Sequence, residues 1–286
     1  MEIEFARTFL AVAAAGNFVG AARRLHITQS TVSARIQALE TQLGASLFRR
    51  GRGGAELTPA GHRFLRHAKS LVRTLEQAVH DVGLPAGFRG TLTLSGRLAL
   101  WDGFLPQWVA RMRDAHPDIS LRLDVGFEEG IMQGLVQGTV DIGVMYTPES
   151  RPGLGIEPLF EERLVLVSTE PSRPWPDTGY IHMDWGPEFH AQFSASFPQM
   201  PPPAITANMG WVVMQQILHC GGSAYFPLRI ARELIEDGQM WQVADSPVFS
   251  LTAFMVFPLD RQEDTLASAL ESLRTLGAEE RAAAAP

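Results

Sequence analysis

The sequence predicts an α/β chain in two parts: an N-terminal winged helix-turn-helix carried on a long linker helix, then a larger unit of alternating strands and helices. Three observations carry this reading. Residues 1–89 hold 12 basic against 6 acidic side chains, whereas residues 90–286 hold 12 against 25, within a net charge of −7. Apolar residues recur at helical spacing as far as Val82. From Thr91 onward short apolar runs alternate with amphipathic stretches, as strands alternate with helices in a layered α/β unit.

The 286 residues exceed one average domain of about 150 residues. A composition of 45% hydrophobic and 19% charged residues is that of a soluble globular protein. The single cysteine, Cys220, excludes an intramolecular disulfide framework. Glu2 and Glu4 stand where a signal peptide would be cationic, and no apolar run approaches the roughly 18 residues of a membrane span. The expectation is a soluble, cytoplasmic protein with no membrane contact. Its positive end points to a polyanion and its negative end to a separate task.

Residues 2–15 carry a helical stripe of Ile3, Phe5, Ala6, Phe9, Leu10 and Ala13. Gly16-Asn17 breaks it, with Asn17 as cap for a short helix over 18–25. His26-Ile27 is the turn and Thr28 caps a third helix, Gln29 to Leu43, stopped by Gly44. Its apolar residues Val32, Ile36, Leu39 and Leu43 step by 4, 3 and 4 and form one narrow buried face. Ser30, Ala34, Gln37 and Thr41 fall opposite, Thr31 and Ser33 beside them, and Arg35 on a flank. A small, hydrogen-bonding outer face suits a helix lying in the major groove, although a merely solvated face has the same composition. Residues 49–54, Arg-Arg-Gly-Arg-Gly-Gly, tip the balance. They read as a hairpin wing whose Arg50 and Arg52 reach phosphate or a narrow minor groove.

Thr58-Pro59 starts a fourth helix. Phe64, Ala68, Leu71, Leu75, Ala78 and Val82 step by 4, 3, 4, 3 and 4, a heptad seam. It reads as a dimerising linker, the alternative being a helix packed on its own domain. Gly83, Pro85, Gly87 and Gly90 then supply a hinge. Strands are expected at 91–95, 119–125, 141–146, 163–168, 180–184, 204–208, 222–226 and 250–257. Helices are expected at 98–115, 128–137, 187–196, 211–219, 228–236 and 262–276. The alternation implies mostly parallel sheet, with ligands bound beyond the carboxyl ends of strands.

Residues 21–33, Ala-Ala-Arg-Arg-Leu-His-Ile-Thr-Gln-Ser-Thr-Val-Ser, resemble the helix-turn-helix signature of LysR-type transcriptional regulators. Leu39-Glu40, Leu43-Gly44, Leu47-Phe48-Arg49-Arg50 and Leu57-Thr58-Pro59-Ala60-Gly61 continue it at the family's spacing. Gly138–Val144 looks like the family's glycine-to-aspartate turn into a strand, and Gly222–Pro227 like its second-lobe strand ending in proline. Trp101, Trp108 and the stretch 184–189 resemble a subgroup that includes repressors of flagellar master operons.

The resemblance implies a sequence-specific regulator whose two receiver lobes are similar to type 2 periplasmic binding proteins. The corresponding bounds are 1–58 for the DNA-binding domain, 59–89 for linker and hinge, and 90–286 for the effector domain. Lobe I then takes 90–161 and 258–286, and lobe II 162–257. The implied partners are double-stranded DNA carrying an interrupted palindrome, further copies of the chain as a dimer of dimers, RNA polymerase and a small-molecule effector. Gln29, Ser30 and Ser33 match DNA-contacting positions, joined here by Thr31, Arg35, Arg50 and Arg52. Phe64, Ala68, Leu71 and Leu75 take the dimerisation role. Many members carry Arg where this chain has Ala34, with Arg35 following instead.

Two crossings of the chain, near Glu161 and Pro258, would place an effector cleft among Ser95, Arg97, Leu98, Glu128, Tyr146, Asn208 and Phe226. Glu128 stands where Ser or Thr is usual, and Arg97 either holds a ligand carboxylate or pairs with Glu128. No cofactor or metal is expected. His182, Asp184 and His190 match no helical ligand pair, Ser223 lacks a nucleophile elbow, and adjacency alone gives His219 and Cys220 no catalytic relation. A nucleoid-structuring protein would not need the acidic α/β half. A regulator, not an enzyme, is the expectation.

Overall fold

The computed structural model describes residues 2–51, 54–84, 87–173, 175–261 and 263–283. The chain forms two compact units, Met1–Pro85 and Ala86–Pro286. The first runs α1 (Ile3–Ala15), α2 (Phe18–Leu25), α3 (Gln29–Leu43), β1 (Phe48–Gly51), β2 (Gly54–Leu57) and α4 (Pro59–Val82). Its breaks follow local chemistry. Gly16 closes α1 at φ 66°, and the Gly20 N–H donates to the Asn17 side chain at 2.6 Å to cap α2. His26 takes the left-handed conformation at φ 55° that turns the chain into α3, which Thr28 caps. Gly54 has φ 120°, and a Cβ there would lie 2.3 Å from the Gly16 carbonyl oxygen. The neighbouring Ala55 N–H donates to that oxygen at 2.7 Å, so the hairpin is seated on the α1–α2 turn. Phe9, Phe18, Phe48 and Phe64 meet ring to ring at 5.0–6.0 Å and centre the core.

The second unit runs β3 (Gly90–Gly96), α5 (Leu98–Trp101), α6 (Leu105–Ala115), β4 (Ile119–Val125), α7 (Glu128–Val136), β5 (Ile142–Met145), β6 (Leu154–Ser168), β7 (Ile181–Met183), α8 (Pro187–Ser196), β8 (Ile205–Ala207), α9 (Gly210–Cys220), β9 (Ser223–Pro227), α10 (Leu228–Glu236), β10 (Trp241–Gln242), β11 (Phe249–Pro258) and α11 (Asp264–Ala283). One sheet has the order β10-β6-β11-β5-β3-β4, with β9 also on β6, and β7 pairs β8 separately. Among the described strands β3 pairs β4 and β5, and β7 pairs β8, in parallel, and the other pairings are antiparallel. The expected mostly parallel sheet is therefore a mixed one, because β6 and β11 run antiparallel through both halves.

Two further expectations are corrected. The expected helix 98–115 is split at Asp102-Gly103, where Gly103 adopts φ 84°. β6 begins at Leu154 rather than 163; Gly155 and Pro158, both depleted in strands, hide its first half. The register between β11 and β6 shifts at Ala253/Phe254, and residues 254–256 already pair with β5. Asp141 shows why the turn after Gly138 matters: its buried carboxylate accepts the Thr93 N–H at 2.6 Å and pairs with Arg261, pinning β5 to β3.

Candidate DNA-reading surface and effector cleft

Helix α3 buries Val32, Ile36 and Leu39 and turns Gln29, Ser30, Ala34, Gln37 and Thr41 to solvent, with Thr31 and Ser33 half-buried beside them. Its start is tied by Thr28, whose Oγ1 accepts the Thr31 N–H at 3.2 Å and lies 2.8 Å from the hydroxyls of both Ser30 and Thr31. The exposed face therefore leaves a capped N-terminus with short polar side chains that can approach base edges closely.

Arg35 does not join this face. It points to α1, donating to Glu4 at 3.3 Å and to the Thr8 hydroxyl at 3.4 Å. At 100° per residue it lies only roughly 40–60° from Val32 and Leu39, so its guanidinium reaches the neighbouring helix before it reaches solvent. In the wing, Arg49 is exposed opposite Glu56 in the β1–β2 ladder. Arg50 is described as a backbone position facing Ala55, and Arg52 lies outside the described residues. Glu40, which the spacing argument left without a role, orients the wing: its Oε1 accepts the N–H groups of Leu47 at 2.6 Å and Phe48 at 3.2 Å.

The linker seam divides. Phe64 and Ala68 are buried in the core of their own unit, Phe64 against Phe9 at 5.0 Å, so neither is available to a partner chain. Leu71 is 38% exposed, Leu75 is half-buried, Ala78 is exposed and Val82 is 90% exposed. The accessible part of the seam therefore starts at Leu71, although the adjacent Val72 still packs on the core of the unit. Beside it, α1 and α4 flank a groove of about 580 Å³ lined by Leu10, Ala14, Leu25, Leu65, Lys69 and Val72 among others.

In the second unit, a cleft of about 320 Å³ lies between α5 and the elements α9, β9 and α10. Leu98 and Phe226 line it, as the sequence suggested. Ser95, Arg97, Glu128, Tyr146 and Asn208 are not among its lining residues. Arg97 is buried, paired with Glu128 at 3.3 Å, and its guanidinium lies 4.8 Å from the centre of the Phe127 ring. Its charge is consumed by the acidic residue that replaces the usual Ser or Thr. Ser95 is buried inside β3, and Asn208 is exposed before α9. Tyr146 is buried and donates to Glu162 at 3.2 Å; burial, then the Glu162 charge, holds its pKa well above the usual value.

Instead, the wall is Ala99, Trp101 and Asp102 on one side and Trp185, Gly210, Trp211, Met214, Phe226 and Ile230 on the other. Trp101 donates its indole N–H to the Asp124 carbonyl at 3.2 Å, and Trp185 to the Tyr225 carbonyl at 2.9 Å. Behind this wall Arg229 of α10 binds the Glu162 carboxylate at 2.5 Å, the Ala99 carbonyl at 3.0 Å and the Asp102 carbonyl. Burial opposes its charge, but the Glu162 carboxylate more than offsets this and keeps its pKa raised. The tryptophans were visible in the sequence, but spacing alone gives no indication that residues 101, 185 and 211 converge.

The helix-turn-helix model of the bacterial regulatory lysR family matches residues 3–62, and the LysR substrate binding domain model matches residues 85–276. The chain is 27% identical over 279 residues to the HTH-type transcriptional regulator HdfR of Escherichia coli O139:H28, covering 96% of this chain and 99% of that protein. Its fold is similar to that of CbnR, a LysR family transcriptional regulator, with TM-score 0.75 at 22% identity over 97% of this chain and 99% of the other. DarR from Vibrio fischeri, in complex with DNA, gives TM-score 0.61 at 19% identity over 96% and 99% of the two chains. Among the described residues no helix is long and apolar enough to cross a membrane. The relatives are regulators and not enzymes, and this chain belongs to the LysR family of DNA-binding transcriptional regulators.

Proposed function

We propose that this regulator reads an interrupted palindrome through paired α3 helices and responds to a small molecule held between the halves of its C-terminal unit. The observation that carries the control step is the cleft of about 320 Å³, which lies where α5 faces α9 and β9. Its size falls at the lower end for small-molecule sites. An occupant bridging those elements would favour one arrangement of the halves over another, and its effect equals the difference in its affinity for the two.

Sequence reading is assigned to Gln29, Ser30, Ser33, Ala34 and Gln37, with Thr31 at the capped start and the wing arginines on phosphate. Two self-association faces support a dimer of dimers. One is the outer part of α4 from Leu71 to Val82. The other is the edge strand β4, where Leu123 is 43% and Val125 61% exposed, continued by Phe127. Two different faces, each meeting its own copy, close into a tetramer.

Genome-wide footprinting of the intact protein tests the reading, with Leu98→Trp to fill the cleft. Palindromic sites whose occupancy or target expression shifts in the Leu98→Trp strain support it. Unchanged expression at every bound site would mean that the second unit serves assembly alone.

A further inference from the structure

We infer that the cleft selects an organic cation, a small ammonium compound with an apolar body, over a carboxylate; the inference rests on the effector reading above. Among the lining residues Asp102 is the sole ionisable side chain, and the neighbouring Arg229 bonds its backbone carbonyl. The two arginines close by are already neutralised. Arg97 is held by Glu128 at 3.3 Å. Arg229 is held by Glu162 at 2.5 Å and spends further hydrogen bonds on the Ala99 and Asp102 carbonyls. An entering anion would meet a carboxylate with no free guanidinium to answer it.

What the wall offers instead is aromatic surface. Trp185 and Phe226 are buried and pack edge to face at 6.2 Å, so the accessible rings are the half-buried Trp101 and Trp211, which is 66% exposed. The indole N–H of the half-buried Trp101 is taken by the Asp124 carbonyl, so this ring offers a ligand its π-electron density rather than a donor. Tryptophan rings next to a carboxylate attract ammonium groups through the ring quadrupole and direct charge pairing. The first turn of α9, at Gly210 and Trp211, brings about half a positive charge to the same cleft. That is less than the full negative charge of Asp102, and the balance stays with a cation.

Three probes of nearly equal shape separate the terms: benzylamine, benzyl alcohol and benzoate, titrated calorimetrically into the full-length protein at pH 7. Benzylamine should bind roughly tenfold more tightly than benzyl alcohol, and benzoate more weakly than either. Asp102→Asn, on an exposed position, should erase the advantage of benzylamine while leaving benzyl alcohol binding intact. Trp211→Ala should weaken both. Benzoate binding as tightly as benzylamine would overturn the charge assignment and leave the cleft reading standing. Benzylamine binding that Asp102→Asn leaves unchanged would likewise overturn it. Heat from none of the three would overturn the cleft reading itself, and the inference with it.

Discussion

Arg229→Met removes one charge from the centre of the C-terminal unit and keeps most of the side-chain volume. The Glu162 side chain is 3% exposed, and its partners are the Arg229 guanidinium at 2.5 Å and the Tyr146 hydroxyl at 3.2 Å. Without Arg229 the carboxylate stays buried with one neutral donor, and α5 loses the bonds to the Ala99 and Asp102 carbonyls. Breaking a buried pair by removing one member costs about 3–5 kcal/mol, most of it the desolvated charge left behind. For a unit of about 200 residues each kcal/mol lowers the melting temperature by roughly 2–4 °C, so the expected drop is about 6–20 °C. Glu162→Gln in the same chain neutralises the stranded carboxylate and should restore at least half of the loss. Differential scanning calorimetry of the full-length protein reads both changes on the C-terminal transition. A single variant within about 1 kcal/mol of the parent, or a double variant no more stable than the single, would refute the account of Glu162 as a charge that depends on Arg229.

The other predictions follow from the same inspection. Phe64→Ala should cost about 3–5 kcal/mol in the N-terminal unit, since the ring is core, whereas Leu71→Glu with Leu75→Glu should leave that unit folded and reduce the sedimenting mass. Arg35→Ala should cost under about 1 kcal/mol, because its pair with Glu4 is part-exposed, and leave sequence preference unaltered in a binding-site selection; Ser33→Glu should abolish specific binding. His182 is buried beside Tyr180 and His190, and burial first, then the His190 charge, lowers its pKa while Asp184 acts the other way. A base whose folded pKa is depressed binds its proton more readily when unfolded. Stability of the C-terminal unit should therefore fall as pH drops below about 6.5, and a melting series from pH 7.5 to 5 should be flatter in His182→Asn.

The N-terminal unit was legible almost residue by residue because its signals are local. Asn17, Thr28 and Thr58 each cap the helix that follows them, and the 3.6-residue stripe of α3 states which face is buried. What spacing could not decide was the partner of each stripe. Phe64 and Ala68 sit on the same heptad as Leu71 and Leu75, yet the first two are buried in the core of their own unit while Leu71 is exposed and Leu75 half-buried. Arg35 shows the same limit from the polar side. A flanking arginine on a recognition helix faces DNA or a neighbouring helix, and Glu4, 31 residues earlier, decides it.

In the C-terminal unit the missing information is long-range. Gly155 and Pro158 are poor strand residues, but pairing with β11 along ten positions, with one bulge, overrides their preference. The pairing among the residues expected to line an effector cleft was hidden for a related reason. Of the seven residues expected there, Leu98 and Phe226 line the cavity, while the two charged ones, Arg97 and Glu128, satisfy each other. Arg97 had Glu128 within reach, and Tyr146 and Arg229 converged on Glu162. Each closed pair withdraws a group from ligand recognition, which leaves the exposed Leu98, Asp102 and Trp211 and the half-buried Trp101 as the lining residues open to an occupant. Subtracting the internal ion pairs first settles the two alternatives for Arg97 in favour of its pair with Glu128, and the proposed cation answers to what remains.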